Sequence, residues 1–210
     1  RMPFDVLPTK LDGPMLLLRS PAPSQVDRVI RSGATSVNTE TQVLTLLAAS
    51  ARAAGRVHDV MLMVELGDLR EGVLPGDLNE IVEHVLTLRE LRLTGIGTNL
   101  ACRSGVAPSV DNMGQLCLLA DMVETRFGIE ITTVSGGNSA NISWAFDATD
   151  TGRINDLRIG EAILLGREPL DRQPIAGLHV DAITLLAEVI ESKCKPTKPW
   201  GRLGENAFGK

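Results

Sequence analysis

Arg158 is the residue around which chemistry can first be built. It stands in INDLRIGEAILLG (residues 154–166), at the end of a short apolar run that reads as a strand. A guanidinium stays charged at any working pH and offers five N–H groups in a fixed fork. Gly160 follows two residues later, and a glycine lets main chain approach a ligand with no Cβ in the way; Glu161 comes next. A permanent cation beside accessible backbone amides favours an anion or a ring nitrogen. The competing reading is a rim salt bridge from Arg158 to Asp156 or Glu161, because most charged residues are simply exposed.

Three other clusters carry comparable chemistry. In ELGDLREG (residues 65–72) a strand ends near Gly67 and Arg70 follows in the loop, either free for a ligand or paired with Glu71 or Asp68. Thr98-Asn99 ends a further strand, where Asn99 also suits a turn. In SGGNS (residues 135–139) a glycine-rich turn places Ser139 at the start of a helix. Glycines and a hydroxyl at a helix start suit a phosphate, or they merely cap the helix.

The elements that must position these clusters alternate. Strands are expected at residues 15–18, 35–37, 59–66, 93–98, 129–134 and 154–158, with helical periodicity between them. Helix starts are expected at a Thr39/Gln42 capping box, at Asp77 with Glu80, and at Asp111. The Asp111 helix carries Met113, Leu116, Cys117, Ala120 and Val123 and stops at Gly128. Such alternation without hairpin signals means parallel βαβ units. It allows an eight-stranded barrel or a doubly wound sheet, and the absence of G-x-G-x-x-G and Walker patterns weakens the second. In either fold ligands bind at the C-terminal ends of strands, where all four clusters fall.

Bulk properties exclude several partners. The net charge is −5, no basic run occurs, and there is no tyrosine; nothing suggests nucleic acid. No apolar run reaches the roughly 18 residues of a membrane span. Cys102, Cys117 and Cys194 are few, scattered and odd in number, which suits a reducing cytoplasm rather than a disulfide framework. His58, His84 and His179 lack zinc-ligand spacing, so no metal site is expected.

Taken together and in order, LGDLREG, GIGTNL, SGGNS and LRIGEAILLG resemble the alanine-racemase-like family of pyridoxal 5'-phosphate (PLP) enzymes, most closely its ornithine-racemase-like branch. The resemblance runs from about Met15 to Phe208. It implies an incomplete (β/α)8 barrel of TIM type over residues 1–170 that binds PLP, and the start of a C-terminal β domain over residues 171–210. It implies that Arg70 hydrogen-bonds the phenolic oxygen of the ring, and that Asn99 stands where many alanine racemases have a histidine. It implies that Ser139 and the backbone N–H groups of Gly160 and Glu161 hold the phosphate, while Arg158 faces the pyridine nitrogen. Helical period favours a helix within residues 177–192, whereas the resemblance implies a strand near residues 182–193.

The family's cofactor-bearing lysine and its tyrosine base have no match in this chain. The chain opens on Arg1 and reads as the middle of a longer protein. The leading expectation is a cytoplasmic, homodimeric racemase of ornithine or an alanine-like amino acid, with the 210 residues alone inactive. The alternative is a non-catalytic, PLP-binding homeostasis barrel.

Overall fold

The computed structural model describes residues 13–205; Lys10, Phe208 and Lys210 lie outside them. Six strands alternate with six helices. In chain order these are β1 (Leu16–Leu17), α1 (Val26–Ser32), β2 (Thr35–Asn38), α2 (Thr41–Ala53), β3 (His58–Met63) and α3 (Leu78–Thr87). Next come β4 (Leu91–Gly97), α4 (Val110–Phe127), β5 (Thr133–Asn138), α5 (Asn141–Asp147), β6 (Asp156–Arg158) and α6 (Glu161–Leu165). Each strand pairs in parallel with the next, in the order β1 to β6. The result is a curled half-barrel, an incomplete barrel of the expected class.

Register divides the strand residues between two faces. Val60, Leu62, Leu93, Ile96 and Val134 look outward and share one core with Val29, Leu44, Leu47, Leu78, Val82, Leu116 and Val123 of the helices. Each fully buried leucine there contributes roughly 2 kcal/mol of transfer free energy. The inward face holds a small apolar plug of Val37, Met61 and Met63 with Leu16 packed on it. Beyond the plug the inward row becomes small and polar. Met61 pairs with Gly95 and Met63 with Gly97, Gly97 with Ser135, and Ser135 with Asp156.

Local chemistry differs from expectation at four places. The Thr39/Gln42 box does not form: α2 starts behind Glu40, one residue past Thr39, with no side-chain cap. Asp77 sits at the N-cap of α3 in helical conformation after a 3-10 turn, and its side chain caps nothing; a capping side chain needs the extended backbone. Ser109, not Asp111, caps α4, in a reciprocal box with Asn112. Gly128 closes that helix in the left-handed region as anticipated.

The fourth difference touches the site. SGGN is not a turn: β5 begins at Thr133 and runs through Asn138. Its pairing with β6 skips a residue, since three steps from Ser135 to Asn138 match two steps from Asp156 to Arg158. That is a bulge, made possible by Gly137 at φ +144°, and bulges re-aim side chains at strand ends. Residues 182–193 form neither the helix nor the strand expected of them, and residues 176–205 are exposed throughout. Leu185 and Ile190 are 91% and 99% exposed, and short elements need an apolar face to bury before they are stable.

Candidate active site at the strand ends

The C-terminal ends of β3 to β6 converge on Arg158. Its guanidinium donates through Nη2 to the backbone oxygen of Thr98 at 2.6 Å and to Oδ1 of Asn99 at 2.7 Å. Through Nη1 it donates to the hydroxyl of Ser135. The rim salt bridge is not what forms. Glu161 pairs with Arg172 instead, and the carboxylate of Asp156 accepts from the Ser135 hydroxyl. Three neutral acceptors hold a half-buried cation, with Asp156 as the nearest counter-charge. Burial pushes the Arg158 pKa down and Asp156 pushes it up; a guanidinium remains protonated regardless. Three of the five N–H groups of the fork are used in these bonds.

Room for the guanidinium comes from Gly97. A Cβ there would lie 3.0 Å from Ser135 and 3.5 Å from Nη1 of Arg158. Thr98 and Ser135 are fully buried, and Thr98 is pinned by its hydroxyl to the Val64 carbonyl at 2.8 Å. The acceptors are therefore fixed before any ligand arrives.

Arg70 is joined to this group through Glu71. The Arg70 side chain pairs with Oε2 of Glu71 at 2.9 Å, and Asn99 Nδ2 donates to Oε1 of Glu71 at 3.1 Å. The simple pairing of Arg70 with Glu71 is thus present, but it is part of a chain that reaches Arg158. Arg70 also donates to the Cys102 sulfur at 3.2 Å, which accepts from Asn138 at 3.0 Å as well.

Ser139, Gly160 and Glu161 form a second group next to the first. The Ser139 hydroxyl does not cap its own helix α5. It accepts from the backbone N–H groups of Gly160 and Ala162, each at 3.1 Å, and so ties the end of β5 to the start of α6. The N–H of Glu161 belongs to the residue between them, while its side chain turns out to Arg172. Nothing stands within 4 Å of where a Cβ on Gly160 would be, so the main chain there is open.

Asp68 is the residue that the sequence offered only as a partner for Arg70. It is fully buried and accepts from the backbone N–H groups of Cys102, Arg103, Ser104 and Val106 at 3.0, 2.8, 3.0 and 3.3 Å. Burial raises its pKa, but the four N–H bonds outweigh burial and hold the carboxyl below its usual range. The clamp locks the loop after β3 to the loop after β4. Leu69 and Ala101, beside it, both adopt positive φ without being glycine. Glu71 was likewise weighed only as a partner for Arg70. The available signal was the alternation of acid and base in GDLREG.

The alanine racemase N-terminal domain model matches residues 6–168. The chain belongs to that family. It is 39% identical over 195 residues to the ornithine racemase of Acetoanaerobium sticklandii, an alignment covering 92% of this chain and 55% of that protein. It is 32% identical over 200 residues to the lysine racemase of Thermotoga maritima, covering 95% of this chain and 56% of that one. The chain thus spans just over half the length of the curated relatives it matches. The alanine racemase of Clostridium difficile 630 superposes with a TM-score of 0.65 at 22% identity, over 80% of this chain and 46% of that one. At that identity the likeness concerns the fold, and it agrees with the incomplete barrel. The alanine racemase family is PLP-dependent. Among the described residues no helix is long and apolar enough to cross a membrane.

Proposed function

We propose that the full-length protein is a PLP-dependent amino-acid racemase, acting on ornithine or a similar amino acid as a homodimer, with residues up to 170 forming the cofactor-binding barrel and residues from 171 opening a second domain. The observation that carries this reading is Arg158: a half-buried cation held by neutral acceptors from two other strand ends. A cation so held has N–H groups to spare for a ring nitrogen. The donor set fits the cofactor in its chemistry. A guanidinium, a hydroxyl and consecutive backbone amides over an open glycine match an aromatic nitrogen and a phosphate.

In this reading Ser139 and the N–H groups of Gly160 and Glu161 would hold the phosphate, Arg70 the phenolic oxygen, and Asn99 would pack on the ring. Arg158 would donate to the pyridine nitrogen and, being protonated already, would offer it a hydrogen bond rather than a proton. PLP, when bound, supplies the electron sink that makes a Cα proton removable; a ring nitrogen kept unprotonated makes that sink weaker. No lysine among the described residues lies in this cluster: Lys193, Lys195 and Lys198 are in the exposed stretch after the barrel. The described residues therefore bind and orient, and activity belongs to the longer protein. Similarity to two racemases, extending past the barrel, favours this reading over a non-catalytic barrel.

The test is to load the full-length protein with PLP, follow the visible absorbance, and assay inversion of ornithine, lysine and alanine by chiral chromatography. Racemisation of at least one is expected. Saturating PLP binding with no inversion across the panel overturns the enzyme reading.

A further inference from the structure

Glu71 has no part in the roles above, yet it touches two of the residues that do. One oxygen accepts from Arg70 at 2.9 Å and the other from Asn99 at 3.1 Å, and Asn99 in turn accepts from Arg158 at 2.7 Å. We propose that Glu71 is the positioning residue of this site, fixing the amide of Asn99 and through it the fork of Arg158. The inference rests on the cofactor roles proposed for Arg70, Asn99 and Arg158.

Donor and acceptor counting gives the relay its direction. Arginine donates only; an ionised carboxylate accepts only; an amide does each at one end. Between a cation and a carboxylate, Asn99 has one workable orientation: oxygen to Arg158, nitrogen to Glu71. Glu71 faces donors at both ends, which a carboxylate satisfies and an amide cannot. A Gln at 71 would have to turn its NH2 group toward either Arg70 or Asn99. If Asn99 flipped to relieve that clash, its own NH2 would meet Arg158. The conflict created at position 71 is passed to the residue facing the ring nitrogen.

The same counting predicts a rescue. Asn99→Asp alone sets two carboxylates face to face. Glu71→Gln with Asn99→Asp restores the order throughout: the Gln oxygen accepts from Arg70, its NH2 donates to the Asp, and the Asp accepts from Arg158. Glu71 is about a quarter exposed while Asn99 is buried, so a circular-dichroism check of folding accompanies Asn99→Asp and the double variant.

The experiment makes Glu71→Gln, Asn99→Asp and the double variant in the full-length protein. It measures the PLP dissociation constant by visible titration and the side-chain nitrogen resonances of Asn99 and Arg158 without cofactor. Each single variant is expected to bind PLP about tenfold more weakly, and the double variant within about threefold of wild type, a coupling that independent sites do not show. In Glu71→Gln the Asn99 and Arg158 resonances should move. Additive losses in the double variant, or unmoved resonances in Glu71→Gln, overturn the relay. A wild type that fails to bind PLP overturns the cofactor roles instead, and the resonances still decide the relay.

Discussion

Arg158 shows how an arginine can be made available by denying it a carboxylate. Its acceptors are a carbonyl, an amide oxygen and a hydroxyl, each able to orient the planar fork without masking the charge. A lysine at 158 keeps the charge but loses the fork, and cannot meet three acceptors and a ring nitrogen from one flat group. Arg158→Lys in the full-length protein should weaken PLP binding about tenfold or more, read by visible titration. His58 makes a second prediction at this scale. It is buried, with Nε2 2.9 Å from the Ser36 hydroxyl, which itself accepts from Asn38. The Ser36 hydroxyl thus bridges the buried imidazole and the Asn38 amide. Burial lowers the His58 pKa and the nearby Asp59 partly offsets it. The unfolded chain then takes up the proton first, so stability is full above about pH 6.5 and falls as pH drops through that value toward the folded one. Melting temperatures from pH 8 to pH 5 should fall more steeply for wild type than for His58→Gln. The positions of Arg70, Asn99, Ser139 and Arg158 at strand ends were legible in the sequence, though each also had a simple local reading and its cofactor role came from the family resemblance. Asp68 and Glu71 were not, because a carboxylate beside an arginine has a simple local explanation that hides partners some thirty residues away.

At the scale of elements, strand ends and loops are made into one platform by polar clamps rather than by apolar contact. Asp68 gathers four N–H groups of residues 102–106, and Ser139 gathers two at the start of α6. Asp68→Asn puts a donor where an acceptor is needed and should cost about 3 kcal/mol, measured by urea unfolding. Because the folded pKa of Asp68 lies below its ordinary value, this contribution is present above about pH 4 and is lost as pH falls below that. The difference between wild type and Asp68→Asn should shrink accordingly in acid. Helix positions were readable from periodicity, since α1 to α4 each bury one stripe. The bulge in β5 was not, because two glycines in sequence look like a turn. Only the register against β6 distinguishes a kinked strand from a reversal.

The whole molecule divides at about residue 176. Before it lie the sheet, the helices and the one large core; after it no residue through 205 is buried. Trypsin should therefore cut this chain first after Lys193 and Arg202, the basic sites in that stretch not followed by proline, and leave the body intact. Limited digestion with mass spectrometry checks this; early cuts at the arginines of α1 or α2 would contradict it. Alternation of strands and helices was enough to predict parallel βαβ units, and the family resemblance chose the barrel over the doubly wound sheet. The stretch after it was misread in both directions, as helix and as strand. Among the described residues its apolar pattern stays exposed, and a period in sequence becomes structure only where a surface receives it.

One of the acceptors of Arg158 belongs to no side chain. The carbonyl of Thr98 is main chain, so no single-base change in a gene removes it. Mutational drift at positions 99 and 135 can erode the hold on Arg158 but not abolish it. Selection acting on this site would meet a slope rather than a cliff. A library of small residues at those two positions should return a graded series of cofactor affinities, with few outright nulls.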